Sequence, residues 1–355
     1  MTTVMLPGII VGSKCAEWYG SMIASDSNRA TILKSEVEDM IKVMEPDDKV
    51  IAYYSLLQFR YNVLIEEPDT QITHSNDTLE PYLTYMYYFM NGQNEFYAAR
   101  YTSATKMYGM AEEYLEQVSD PYEQAEFYLR LADGYYRINQ YLFASSYMEK
   151  AMDIFKTEKA YKNKVLNGYL LLAAIHTELG DFIKAEQKYQ TALAESYDYP
   201  RIRALLLRGL GLNRLKQNKH HEAMFYFEEA LVTGDHAETF FGMKSKGDIA
   251  FLHLRFGNLS TALPLLEEVE ARSLEVNDVE YIARCRVYRN LYVHYNRELV
   301  ESGLNLLIEH ELYFDAGEIA EDLSSYYEEN EDFISALKYM KLVTQMNTKQ
   351  NTLGE

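Results

Sequence analysis

The stretch GQNEFYAARYTSATKMYGMA, residues 92–111, places the small residues Gly92, Ala104 and Ala111 around Tyr108 at fixed offsets. The pattern returns as Ala132/Ala144/Met148/Ala151, Ala173/Ala185/Tyr189/Ala192 and Gly211/Ala223/Phe227/Ala230. Weaker copies follow at Ala250/Ala262/Leu266/Val269, Leu291/Gly303/Leu307/His310 and Ser324/Ala336/Met340/Val343. The second marker falls at 104, 144, 185, 223, 262, 303 and 336, so the steps are 40, 41, 38, 39, 41 and 33. Small residues are needed where two helices cross closely, and an aromatic fills the gap beside them. Seven returns of one helix pair predict a solenoid, whose extended surface suits binding better than a buried catalytic pocket.

The offsets are those of the tetratricopeptide repeat, and steps beyond its usual length of about 34 imply longer loops or helices between repeats. Seven prolines, 17 glycines and no sustained Val/Ile alternation leave no strand signal. The predicted fold is therefore all-α: an N-terminal three-helix bundle, then a right-handed repeat superhelix of about seven helix pairs. Residues 1–67 make the bundle, 68–79 a polar linker and 80–350 the repeats.

Within the bundle, Trp18, Tyr19, Met22 and Ile23 form the apolar stripe of a first helix over about 13–24. Asp26 or Ser27 caps the second, and Pro46 ends it. Asp47 and Asp48 then sit at the positive end of a third helix, over about 47–66.

Lys+Arg 34 against Asp+Glu 54 gives a net charge of −20, which argues against a nucleic-acid surface and suits either a basic peptide or partner or solubility alone. Cys15 and Cys285 lie far apart with no CxxC pair, which predicts a reduced, cytoplasmic protein. The start of the chain has neither a basic leader nor a long apolar run, so neither a secretory signal nor a membrane span is expected.

In this repeat class, positions 2, 5, 9 and 12 of each first helix line the concave face. They include Glu126, Asp133 and Tyr136, then Asn167, Arg208, Lys244 and Phe251, and finally Tyr288, Tyr292 and Tyr295. An apolar centre, acidic ends and a tyrosine cluster suit a short extended peptide, because tyrosine offers flat apolar area plus a hydroxyl at small entropic cost. The competing reading packs many of these tyrosines between repeats, since the chain has 32.

Catalytic and metal motifs are scarce. The eight histidines form no HExxH and no Cys/His set, and His220-His221 reads as solvated surface. Gly209-Leu210-Gly211 falls inside a helix of the repeat register, so close helix packing explains it better than a phosphate loop. No cofactor is expected. The densest polar cluster is Glu45-Pro46-Asp47-Asp48-Lys49, at the bend before the third helix, where a cap and a dipole pair would account for the acids.

Several stretches resemble the Rap family of bacterial quorum-sensing regulators, response-regulator aspartate phosphatases inhibited by secreted Phr peptides. Glu17-Trp18-Tyr19 looks like the family's EWY, and residues 53–60, YYSLLQFR, are similar to its YYSL-x-x-FR helix. Residues 123–128, EQAEFY, and 135–141, YYRINQY, resemble further family segments. The resemblance implies an N-terminal bundle that grips a response-regulator receiver or DNA-binding domain through Glu45, Asp47, Asp48, Tyr54 and Phe59. It also implies repeats that capture a short peptide and so release the partner. Any divalent metal would arrive with the response regulator.

Two positions depart from the family pattern. The Gln that positions the attacking water in phosphatase members is Asp48 here, with Pro46 in place of the first acid. A carboxylate repels the phosphoryl group and donates no hydrogen bond, which leaves Asp48 and Asp47 as weak catalytic candidates. The place of the family's peptide-clamping Asn in a middle repeat is taken by Gly209, so either Asn167 or Asn213 takes over or the ligand is bound differently. Three readings follow: a peptide-switched sequestering regulator, an active phosphatase of a phospho-aspartyl receiver, or a plain scaffold.

Overall fold

The computed structural model describes residues 5–65 and 80–352. The bundle is α1 (Gly8–Ile23), α2 (Ser27–Lys42) and α3 (Asp48–Leu64). The first helix starts five residues earlier than its apolar stripe predicts, directly after Pro7, whose fixed φ suits the position before a helix. Asp26 caps α2 by accepting from Arg29 N, and Asp47 caps α3 by accepting from Lys49 N and Val50 N. Trp18 is fully buried, with its ring 6.0 Å from Tyr54 and 5.8 Å from Tyr61. The expected linker at 68–79 lies outside the described residues.

Seven helix pairs follow. They are α4 (Pro81–Tyr97) with α5 (Tyr101–Glu112), α6 (Pro121–Arg137) with α7 (Tyr141–Phe155), and α8 (Lys162–Glu178) with α9 (Phe182–Ala194). Next come α10 (Pro200–Lys216) with α11 (His220–Leu231) and α12 (Phe240–Arg255) with α13 (Leu259–Glu275). The last are α14 (Val279–Tyr292) with α15 (Arg297–Glu309) and α16 (Tyr313–Glu329) with α17 (Phe333–Thr352). Proline opens α4, α6 and α10, where the first helical N–H has no intrahelical partner to lose. Two compact units divide the chain, Met1–Gly168 and Tyr169–Glu355.

The repeat markers behave as close-packing residues. A Cβ on Gly92 would lie 2.4 Å from the Tyr108 ring, and one on Gly211 2.5 Å from the Phe227 ring. Gly209 is equally crowded, 2.6 Å from Tyr189, so the double glycine is a packing device inside α10. The turn between the two helices of a pair has its own repeat. Left-handed residues stand at Ala99, Asn139, Gly180, Asn218 and Gly257, each five residues before the alanine marker of its pair. This is the αL stop that lets the chain reverse between antiparallel helices. The sixth pair lacks it, and the seventh has Glu331 there. In the last pair the register also slips: Tyr339 is fully buried while Met340 is 48% exposed. No following repeat covers α17 among the described residues, so α16 and Glu301 of α15, which accepts from Tyr339 at 2.8 Å, decide which of its sides is buried.

Candidate functional site

In the unit Met1–Gly168, the bend before α3 is pinned from an unexpected side. Leu6 donates to Val43 O at 2.8 Å and accepts from Glu45 N at 2.9 Å, an isolated parallel bridge that fixes Glu45. Gly8 abuts the capping carboxylate so closely that a Cβ there would sit 2.2 Å from Asp47 Oδ2. Neither contact was legible from helical periodicity, although Pro7-Gly8 ahead of a helix is a turn signal. Asp47 is thus committed to capping, while Glu45 and Asp48 are exposed at the positive end of α3. Lys49 pairs with Glu80. Tyr54 is half-buried, donates to Glu38 at 3.2 Å and accepts from Gln58 at 2.6 Å. Phe59 is buried in the core.

Behind that surface lies a buried charge cluster. Glu126, with no exposure, accepts from Lys164 at 2.7 Å, from Arg130 at 3.0 Å and from Arg60 at 3.2 Å. Burial alone would raise its pKa, but Lys164, Arg130 and Arg60 together hold the carboxyl well below the usual range. Asp133, one turn beyond Arg130, is pushed by burial up to about 6. A second carboxyl, Glu123, meets no cation among the described residues: burial raises it to about 8, and both its oxygens accept from Tyr82 Oη at 3.2 Å. Tyr136 and Asn167 are half-buried.

In the unit Tyr169–Glu355, the first helices of successive pairs carry an ionic ladder. Arg208 meets Asp248 at 2.9 Å and Tyr281 Oη at 3.3 Å. Lys244 pairs with Glu280 and lies 3.2 Å from Asp278. Arg284 reaches Glu280 at 3.1 Å and Glu318 at 2.7 Å, with Asp315 at 3.8 Å. Lys216, on α10, bridges to Glu178 on α8 at 3.6 Å and to Glu318 on α16 at 3.1 Å. That last contact joins helices three repeats apart, so these first helices face one interior. Tyr288 donates to Asp322, and its ring lies 4.3 Å from that of Phe251. Burial raises the carboxyls of Asp248 and Asp322, and takes Glu178 up to about 7.

The remaining peptide candidates differ in availability. Asn213 is buried and donates to Thr177 Oγ1 at 2.9 Å, while its Oδ1 accepts from Gln217 at 2.8 Å and Arg214 at 3.3 Å. Tyr292 is half-buried, and Tyr295 is 56% exposed with its hydroxyl 3.0 Å from that of Tyr327. The acids Glu178, Asp248, Asp278, Glu280, Asp315 and Asp322 escaped the candidate set. Four positions per helix describe one stripe, whereas long side chains reach in from neighbouring positions. His221 stacks on Phe256 at 4.8 Å. Among the described residues, no group of three or more His, Cys, Asp or Glu side chains could hold a metal ion, and no helix is long and apolar enough to cross a membrane.

A three-helix bundle ahead of seven tetratricopeptide-type pairs, with the charged side chains of the second unit's first helices facing one interior, defines a helical-repeat binding protein. Residues 8–66 match the family described as response regulator aspartate phosphatase H, N terminal. Regulatory protein RapF of Bacillus subtilis (strain 168) is 27% identical over 363 residues, covering 95% of this chain and 94% of that protein. The crystal structure of a Rap protein complexed with competence and sporulation factor matches with a TM-score of 0.91 at 23% identity, over 98% of this chain and 100% of that one. The chain belongs to the Rap family. Type II methyltransferase M.CeqI of Rhodococcus hoagii is also similar, at 40% identity over 97% of this chain and 69% of that protein. Nearly a third of that relative lies outside the match. Gly209-Leu210-Gly211 lies inside α10 rather than at a strand-to-helix turn of the kind that holds a nucleotide cofactor.

Proposed function

We propose that this chain is a cytoplasmic regulator that binds a response regulator or transcription factor through its N-terminal bundle and is switched off by a short signalling peptide held by its repeats. The observation that carries the peptide half is the ladder of the second unit. There, seven carboxyls (Glu178, Asp248, Asp278, Glu280, Asp315, Glu318 and Asp322) surround the four cations Arg208, Lys216, Lys244 and Arg284. A basic ligand side chain entering there relieves like-charge crowding that the host cations leave incomplete. Tyr292 and Tyr295 supply flat apolar area beside it, backed by Phe251 and Tyr288, which are buried between repeats.

The partner half rests on the exposed acids Glu45 and Asp48 at the rigidly pinned bend. Asp48 stands at the positive end of α3, where a phosphoryl group would otherwise be welcomed, and its own charge opposes that group. Sequestration without turnover is therefore the favoured reading, with no cofactor of the chain's own and any divalent metal brought by the response regulator. The test follows phosphate loss from a phosphorylated receiver domain with wild type and Asp48→Gln, reading complex formation by size-exclusion chromatography. Binding by both without turnover by wild type is expected. Accelerated loss with wild type would replace sequestration by catalysis. Calorimetry with pentapeptides carrying a central Arg or a central Glu tests the ligand class, and tighter binding of the Glu set would overturn it.

A further inference from the structure

We propose that Lys216 is a strap across the interior of the second unit, holding the place between Glu178 and Glu318 that a basic ligand side chain would take. The ligand half of this inference rests on the peptide reading above; the strap itself does not. Lys216 ends α10, and its ammonium lies 3.6 Å from Glu178 on α8 and 3.1 Å from Glu318 on α16, with the Phe314 ring 5.8 Å away. Arg208, Lys244 and Arg284 each reach from the first helix of one pair to that of the next. The Lys216–Glu318 contact instead skips α12 and α14. Contacts between neighbours fix each local crossing, but small rotations add up along a solenoid. A bond between distant repeats constrains that accumulated curvature, which no neighbouring pair does alone.

Lys216 is also the ladder cation that a ligand can reach and displace. Its side chain is 31% exposed, against 10% for Arg208, 13% for Lys244 and 11% for Arg284. Its two contacts are longer than the 2.9 Å of Arg208 to Asp248 and the 2.7 Å of Arg284 to Glu318. An ammonium is a point charge on a flexible stem, so it leaves more readily than a forked guanidinium. A partly exposed pair of this kind adds little stability, and exchanging it for another cation costs little. Burial first, then the charge of Glu318, raise the Glu178 carboxyl against the pull of Lys216. The two acids therefore repel wherever no cation stands between them. A basic ligand side chain placed there meets the same two carboxylates, whereas a neutral or acidic one gains nothing.

Spin labels at Leu179→Cys, beside Glu178, and Glu309→Cys, just before α16, read the span by double electron–electron resonance. The native Cys15 and Cys285 are buried, and diluting labelled chain into unlabelled chain leaves only intramolecular distances. Without ligand, Lys216→Met should lengthen and broaden the distance, and Lys216→Arg should keep it short. In calorimetry the central-Arg pentapeptide should bind Lys216→Met about tenfold more tightly than wild type, and Lys216→Arg more weakly. An unchanged distance in Lys216→Met would overturn the strap. Equal or weaker binding of the pentapeptide by Lys216→Met would overturn the competition. A lengthened distance with no central-Arg binding to either protein would uphold the strap and fault the ligand reading instead.

Discussion

The buried charge around Glu126 and the charge around Arg284 are built on opposite plans. In the first unit one fully buried carboxylate serves three cations, Arg60 from α3, Arg130 from α6 and Lys164 from α8. All three converge on that single anion, and among the described residues only Arg130 has a second, longer contact, with Asp133 at 4.0 Å. In the second unit Arg284 and Lys244 each meet more than one carboxylate, and Glu318 answers both Arg284 and Lys216. Charge there is distributed and acid-rich. A convergent cluster fixes the helices that supply it, whereas a distributed one tolerates the loss or arrival of a charge. The first plan suits a rigid joint between the bundle and the early repeats, and the second suits a surface that accepts a charged ligand.

The largest expected effect is that of Glu126→Gln. Removing the shared anion strands the two buried cations Arg60 and Lys164 and should cost about 3–5 kcal/mol in denaturant unfolding. A loss below that of any ladder substitution would break the contrast. Next is a pH effect confined to the first unit. Burial raises Glu123 from 4.5 to about 8, so the folded state keeps a proton that the unfolded chain releases. This contribution is complete below pH 4.5 and is lost as pH rises through 8, a slope of up to about 1.4 kcal/mol per pH unit. Glu123→Gln should flatten the stability–pH curve over that window, and an unchanged slope would refute the assignment. Third, Glu318→Gln should cost only about 1–2 kcal/mol, because Arg284 retains Glu280 and Lys216 retains Glu178. The smallest effect compares turns. Ala99 in the first unit holds a φ of 58° that Gly257, at 75°, adopts freely in the second. Ala99→Gly should gain about 0.5–1 kcal/mol and Gly257→Ala should lose about as much, both read from thermal unfolding.

Much of the repeat architecture was legible because small residues and aromatics at fixed offsets encode helix crossings directly. Gly92 against Tyr108 and Gly211 against Phe227 are such crossings. The last pair was harder to read. Met340 matches the pattern but faces outward, since a helix packed on one side only can rotate by a residue at little cost. Of the candidate site, the bend at Glu45–Asp48 and several members of the ladder were visible. The pairing that spends Asp47 on a cap, Asn213 on Thr177 and Phe59 on the core was not.

Periodicity alone determined that this chain is a bundle followed by stacked helix pairs, because apolar spacing and helix-crossing residues are local properties of the sequence. Tertiary structure decided which charges meet. Arg60 and Glu126 are 66 residues apart, and Lys216 and Glu318 lie on helices three repeats apart. Spacing along one helix cannot encode such pairs; only the accumulated rotation of packed repeats brings them within hydrogen-bond reach.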